Sequence, residues 1–258
     1  MATEATVPRE YGLGKTHRRD MWWIGPLATG LGLGAFVAYS TFRVLYNDAY
    51  VVERAGTAWG ELLSPFYSPL IRPDWLPIWL SPAVFILWAP GGFRLTCYYY
   101  RKAYYRAYFL DPPACAVGES RSGYRGETML FLFQNLHRYF LYLALIFLVV
   151  LTLDVVRSCW FENGFGISVG TLVLATNTFM LTMYTFSCHS LRHLVGGNVD
   201  CFSCVALGST RYKMWKGASM LNSKHMLWAW SSLFMVGLAD FYVWMVAAGH
   251  IDDVRLIG

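Results

Sequence analysis

Residues 128–156 read TMLFLFQNLHRYFLYLALIFLVVLTLDVV. Only His137, Arg138 and Asp154 interrupt an otherwise apolar run. At ~1.5 Å of rise per residue, a helix over this stretch is long enough to cross the ~30 Å hydrocarbon layer of a bilayer. Four further windows of the same kind flank it, at about 21–46, 76–100, 167–195 and 217–248. In the second, Pro82, Pro90 and the Gly91–Gly92 pair predict a bend, tolerable where neighbouring helices satisfy the freed carbonyls. The composition agrees: 56% of the 258 residues are hydrophobic, 17% aromatic and only 14% charged, which excludes an ordinary soluble domain. With no internal repeat or low-complexity tract, the expectation is an all-α integral membrane protein, a bundle of five transmembrane helices forming one domain over residues 1–258.

Charge sets the expected orientation. The first twenty residues are polar, and Arg9, Lys15, Arg18 and Arg19 precede an apolar run too long for a cleavable signal, so the amino terminus is expected to stay cytoplasmic. Five alternating crossings then put all but Arg43, Arg54, Arg72, Arg157 and Arg255 of the 21 lysines and arginines inside, and the carboxy terminus outside. The formal net charge of +5 therefore reads as orientation in a cell membrane among its lipids, and not as affinity for nucleic acid. The outer connection from Asn47 to Trp75, carrying Trp59, Phe66 and Tyr67, reads as a loop lying along the bilayer surface.

The segment CHSLRHLVGGNVDCFSC, 188–204, gathers three cysteines and two histidines at the inner end of the fourth window. Cytoplasmic thiols are normally reduced, so Cys201 and Cys204 are expected to bind metal or act in redox chemistry, not to form a structural disulfide. His189 and His193 share a helical face, with Cys188 and Arg192 on the adjoining one, and Gly196–Gly197 allows the loop to fold Cys201 and Cys204 back onto it. His137 in the third window and His225 in the fifth lie in the same layer, roughly 9–14 Å below the inner surface by the helical rise. Two centres suit these residue types. A Rieske-type [2Fe–2S] cluster takes two cysteines on one iron and two histidines on the other; a b-type haem takes two histidines from different helices. The inner cysteines favour the cluster, with Cys188, His189, His193, Cys201 and Cys204 as metal-ligand candidates and His137 and His225 as ligands or quinone contacts. Cys97 and Cys159 read as buried packing residues. A tetrahedral zinc site uses the same side chains, and a transporter with such a structural zinc is the alternative of another class.

Ionisable groups inside spans usually mark a pathway or a bound group. Arg138, Arg192 and Lys224 each adjoin an inner-layer histidine, and Trp215, Trp228, Trp230 and Tyr139 could wall a flat, apolar quinone slot. Arg192 and Trp228 are the quinone-contact candidates besides His137 and His225. Asp240, roughly 22 Å beyond His225 along the same helix, is a candidate for an outer proton route.

Ser190–Leu191–Arg192–His193–Leu194 resembles the arginine–histidine pair near the inner end of a span in the membrane anchors of succinate dehydrogenase and fumarate reductase, respiratory complex II. QNLHRY, Gln134 to Tyr139, and NSKHM, Asn222 to Met226, are similar to segments of the actinobacterial five-helix branch, and the resemblance covers nearly the whole chain. It implies an anchor that docks a flavoprotein subunit and an iron–sulfur subunit on its basic face and passes electrons to a membrane quinone. Haem-bearing anchors carry a ligand histidine about two turns before that pair, where this chain has Tyr184, Thr185 and Phe186; the departure favours an iron–sulfur centre. No dinucleotide fingerprint is present, so oxidation of succinate itself falls to the partner subunits.

Overall fold

The computed structural model describes residues 12–54, 59–77, 79–119, 130–197 and 199–258, with backbone alone at 130–134. Arg9, Arg121, Arg125 and the first residues of the third window lie outside the described residues, as does the side chain of Gln134. The helices are α1 (Ile24–Tyr46), α2 (Ala83–Thr96), α3 (Tyr98–Tyr104, continued by a π turn over Tyr105–Phe109), α4 (Leu130–Arg157), α5 (Val169–Phe186), α6 (His189–Gly196), α7 (Gly208–Asn222) and α8 (His225–Ala247). α5 packs along α8, α4 lies against α2 and α5, and α1 closes the bundle against α8 and α3.

Among the described residues four helices are long and apolar enough to cross a membrane: Ile24–Tyr46, Asn135–Arg157, Val169–Phe186 and His225–Ala247. The second window yields less than the sequence promised. α2 has 14 residues with Pro90 inside it, about 21 Å at the helical rise, and it stops at Cys97, whose backbone is extended (φ −62°, ψ 129°). Gly92 lets α2 approach α4 closely, because a Cβ there would run into the Phe140 ring.

The fourth window also breaks, at Ser187–Cys188, into α5 and the short α6. Here no proline or glycine is responsible. The carbonyl of Ser187 accepts from Asn222 Nδ2 at 2.7 Å, its hydroxyl donates back to the Tyr184 carbonyl at 2.9 Å, and Cys188 is extended (φ −67°, ψ 137°). Tertiary partners replace the helical bonds lost at the break. The fifth window begins late, at His225, since residues 217–222 belong to α7, which carries Arg211, Lys213 and Lys216 and lies beside α6.

The connection after α1 is not a surface loop. β1 (Val51–Glu53) pairs antiparallel with β2 (Glu61–Leu63), and the chain after it enters the bundle, burying Leu62, Ser64, Phe66 and Tyr67 while Trp59 stays exposed. There it meets a closed polar network around Asp240, the residue considered for a proton route. Asp240 and Arg43 are both 0% exposed; Arg43 Nε donates to Asp240 Oδ2 at 2.8 Å, Tyr39 Oη to the same oxygen at 2.6 Å, and Ser64 Oγ to Oδ1. Arg43 also reaches the Asp48 carbonyl and lies 5.0 Å from the Trp244 ring. Such a pair is sustainable in an apolar bundle only because nearly every lone pair and proton is met. Two short pairings complete this end: β3 (Trp160–Phe161) with β4 (Gly164–Phe165), and β5 (Ile167–Ser168) with β6 (Arg255–Ile257). At the opposite end the amino-terminal segment clasps the connection after α3, with Gly14 N–H donating to the Gly118 carbonyl and Gly118 N–H to that of Lys15.

Candidate functional site

The two helix breaks lie side by side. Cys97, between α2 and α3, and Cys188, between α5 and α6, belong to one buried cluster with Phe93, Tyr100, Leu141, Tyr184, Ala229 and Leu233. His137 from α4 and His225 at the start of α8 reach into the same place. His137 Nε2 lies 3.0 Å from Cys188 Sγ, and His225 Nε2 lies 3.5 Å from Cys97 Sγ. The other ring nitrogen of each histidine is held by a hydroxyl: Thr96 Oγ1 is 2.9 Å from His137 Nδ1, and Ser187 Oγ is 2.6 Å from His225 Nδ1.

The arrangement is crossed. In the dipeptide Thr96–Cys97 the hydroxyl holds His137 while the sulfur faces His225; in Ser187–Cys188 the hydroxyl holds His225 while the sulfur faces His137. Fixing Nδ1 sets the tautomer and aims Nε2, as outer-sphere partners do for metal-binding histidines. Phe93 stacks on His137 with centroids 4.7 Å apart and planes 2° from parallel, and Tyr184 stacks on His225 at 5.2 Å. The rings thus have a packed wall on one face. Cys97 and Cys188 are 3% and 2% exposed and His137 is 6% exposed, while His225 is half-buried.

The Arg94 guanidinium sits close by. Arg94 Nη1 donates to the Tyr100 hydroxyl and to the Ala229 carbonyl, Nη2 donates to Ser232 Oγ, and the guanidinium lies 4.7 Å from the centroid of the Tyr184 ring. The donor set is two thiols and two imidazoles from four separate helical elements. Among the described residues, no three His, Cys, Asp or Glu side chains stand as a preformed site for one metal ion. A mononuclear tetrahedral zinc needs three or four protein ligands on one ion. A two-iron cluster asks only two protein ligands of each iron, and two cysteines with two imidazoles are the Rieske set.

The other candidates lie elsewhere. Cys201 and Cys204, expected as free thiolates, are joined to each other in a disulfide beside α7. A separation of three residues in an extended and 3-10 segment brings the two sulfurs together and leaves neither free to ligate. His189 and His193 pack ring against ring at 4.7 Å on α6. With Arg138, Arg192, Asp200 and Trp215 they line a cavity of about 520 Å³ that includes no cysteine. Arg192 stacks over the Trp215 ring at 5.1 Å. Burial, with His193 and Arg192 adding to it, holds the His189 imidazole below its ordinary value. Trp228 packs against the cysteine–histidine cluster, and its indole N–H is buried with no hydrogen-bond partner among the described residues.

Of the expected residues, then, His137, His225 and Cys188 are brought together, and Cys97, read from the sequence as packing, joins them. A hydroxyl residue immediately before a cysteine at the end of an apolar run was the available signal. It is a weak one, because Ser158–Cys159 has the same form at the far end of α4, where Cys159 Sγ merely donates to the Val155 carbonyl.

Comparison with known proteins gives a concordant result. The family described as actinobacterial succinate dehydrogenase subunit SdhC matches residues 24–249. A solved chain of the Mycobacterium smegmatis Sdh1 complex in the apo form is similar over 100% of both chains, with 42% identity and a TM-score of 0.83. No curated protein matches the chain.

Proposed function

Because the chain belongs to the actinobacterial succinate dehydrogenase SdhC family and is thus a multi-pass membrane subunit of such a complex, we propose that it is the quinone-reducing anchor and that Cys97, Cys188, His137 and His225 hold a Rieske-type [2Fe–2S] cluster within it. The observation that carries this reading is the crossed set itself: two buried sulfurs and two imidazole Nε2 atoms converging from separate elements, with both Nδ1 atoms fixed from behind. When bound, such a cluster supplies a one-electron carrier of relatively high potential.

The chain's own residues have definable tasks. Thr96 and Ser187 keep the imidazoles in the tautomer that presents Nε2. Phe93, Tyr184, Leu141 and Leu233 keep the site dry, which strengthens every electrostatic interaction inside it. Next to it, the cavity of Arg138, His189, Arg192, His193 and Trp215 suits the polar head of a quinone: Arg192 donates to a quinone oxygen while the His189 imidazole relays protons from the inner side to the reduced ring. Trp228 is retained as a quinone or cluster contact. The same basic end faces the cytoplasm, leaves the carboxy terminus outside, and receives the iron–sulfur subunit and, through it, the flavoprotein subunit that oxidises succinate.

Iron and sulfide analysis of the purified complex, with electron paramagnetic resonance and a visible spectrum, tests the reading. Cys97→Ser and Cys188→Ser remove a rhombic signal of the reduced membrane centre and lower iron by two atoms per complex, whereas the double change Cys201→Ser with Cys204→Ser leaves both unchanged. A Soret band lost with His137→Ala and His225→Ala would replace the cluster by haem b on the same histidines. A complex whose iron is insensitive to Cys97 and Cys188 defeats the assignment.

A further inference from the structure

Tyr184 is 1% exposed, and its hydroxyl has no hydrogen-bond partner among the described residues. Buried hydroxyls in folded proteins are normally paired, so an orphan of this kind asks for an acceptor. Its neighbours cannot supply one. Tyr100 Oη donates to the Ala229 carbonyl at 2.7 Å and its oxygen already accepts from Arg94 Nη1, while Arg94 is itself only a donor, shared among Tyr100, Ala229 and Ser232. Phe93 and His225 meet the Tyr184 ring, not its oxygen, His225 lying face to face with it. The other polarisable atoms of the buried cluster that holds Tyr184 are the sulfurs of Cys97 and Cys188.

A protonated thiol is a weak acceptor, but a metal-bound thiolate or a sulfide carries negative charge and accepts well. We propose that Tyr184 is a positioning residue for the membrane centre: its hydroxyl donates to a sulfur of the bound cluster and, together with the Arg94 charge, raises the reduction potential. The reduced cluster carries one more negative charge than the oxidised one, so a donor hydrogen bond to sulfur stabilises the reduced state more. Hydrogen bonds to the sulfurs are among the means by which a protein sets the potential of such centres. This inference rests on the cluster assignment above, and the experiment separates the two.

The assay is a potentiometric titration of the electron paramagnetic resonance signal in the intact complex. Tyr184→Phe removes the hydroxyl and little else. Its expected result is a tenfold weaker hold on the electron, a fall of 59 mV for a one-electron couple, with iron content and g values preserved. Dye reduction by succinate stays unchanged while quinone reduction slows. Tyr108→Phe, outside the buried cluster and with its hydroxyl met by the Gly30 carbonyl, leaves the potential in place. Should the phenylalanine variant fail to assemble, 3-fluorotyrosine introduced at position 184 is a stronger donor of nearly the same shape, and the potential then rises. A signal whose potential ignores both changes overturns the role of Tyr184; absence of any cluster signal in the unaltered complex overturns the assignment beneath it.

Discussion

Arg43 and Asp240, at one end of the bundle, are wholly buried and answered by Tyr39, Ser64, the Asp48 carbonyl and each other. At the other end, Cys97, Cys188 and His137 are buried and His225 is half-buried, each sulfur faces an imidazole at hydrogen-bond range, and Tyr184 is left with a hydroxyl and no acceptor among the described residues. The first layer is complete as it stands and does structural work, binding α1, α8 and the segment after β2 together. The second leaves the Tyr184 hydroxyl unmet among the described residues. A buried polar group is thus most informative where it lacks a partner, and charge is the poorer guide: the Arg43–Asp240 pair does structural work alone.

The sharpest way to break this contrast is Asp240→Ala. It leaves Arg43 buried without a counter-charge, and the expected loss is about 3–5 kcal/mol, seen as a collapse of thermal stability of the detergent-solubilised complex. Replacing both partners by apolar residues, Arg43→Met with Asp240→Leu, restores most of that loss. An Asp240→Ala chain as stable as the parent would show that the network is not closed. The counterpart at the other end is Cys97→Ser, expected to abolish the membrane centre while costing the apo-subunit only about 1 kcal/mol; a stability loss as large as that of Asp240→Ala would erase the distinction.

A third change sharpens the site alone. Thr96→Val and Ser187→Ala each release one Nδ1, and by analogy with outer-sphere partners elsewhere each lowers metal retention by about 10–100-fold, read as iron lost during dialysis against a chelator. The smallest effect concerns pH. His189 titrates below its ordinary value of 6.5 in the folded chain, so the folded state binds protons less readily than the unfolded one. Its contribution to stability is full above pH 6.5 and is lost as pH falls through the lowered folded value. The thermal midpoint should therefore decline below that pH, and less steeply in His189→Gln; identical profiles would remove His189 as the source.

The long uncharged runs made α1, α4 and the body of α8 legible, since length and apolarity alone decide whether a helix suits a bilayer. The breaks at Cys97 and Ser187–Cys188 were not, because no local breaker writes the second: Asn222 and His225, thirty-five residues or more away, hold it open. For the same reason His137, His225 and Cys188 could be suspected as a layer, but Cys97 looked like packing on an apolar helix end. The dense motif at 188–204 drew Cys201 and Cys204 into the expected centre, and their mutual bond shows that nearness in sequence had stood in for nearness in space.

The crossed bracing of Thr96–Cys97 and Ser187–Cys188 closes the pocket from the chain's own side chains alone. Each dipeptide grips both histidines, so no helix of the set can be seated while its neighbour is absent. If the proposed cluster is the occupant, iron starvation would then leave a stock of assembled but idle subunit awaiting repair, and not a scarcity of it.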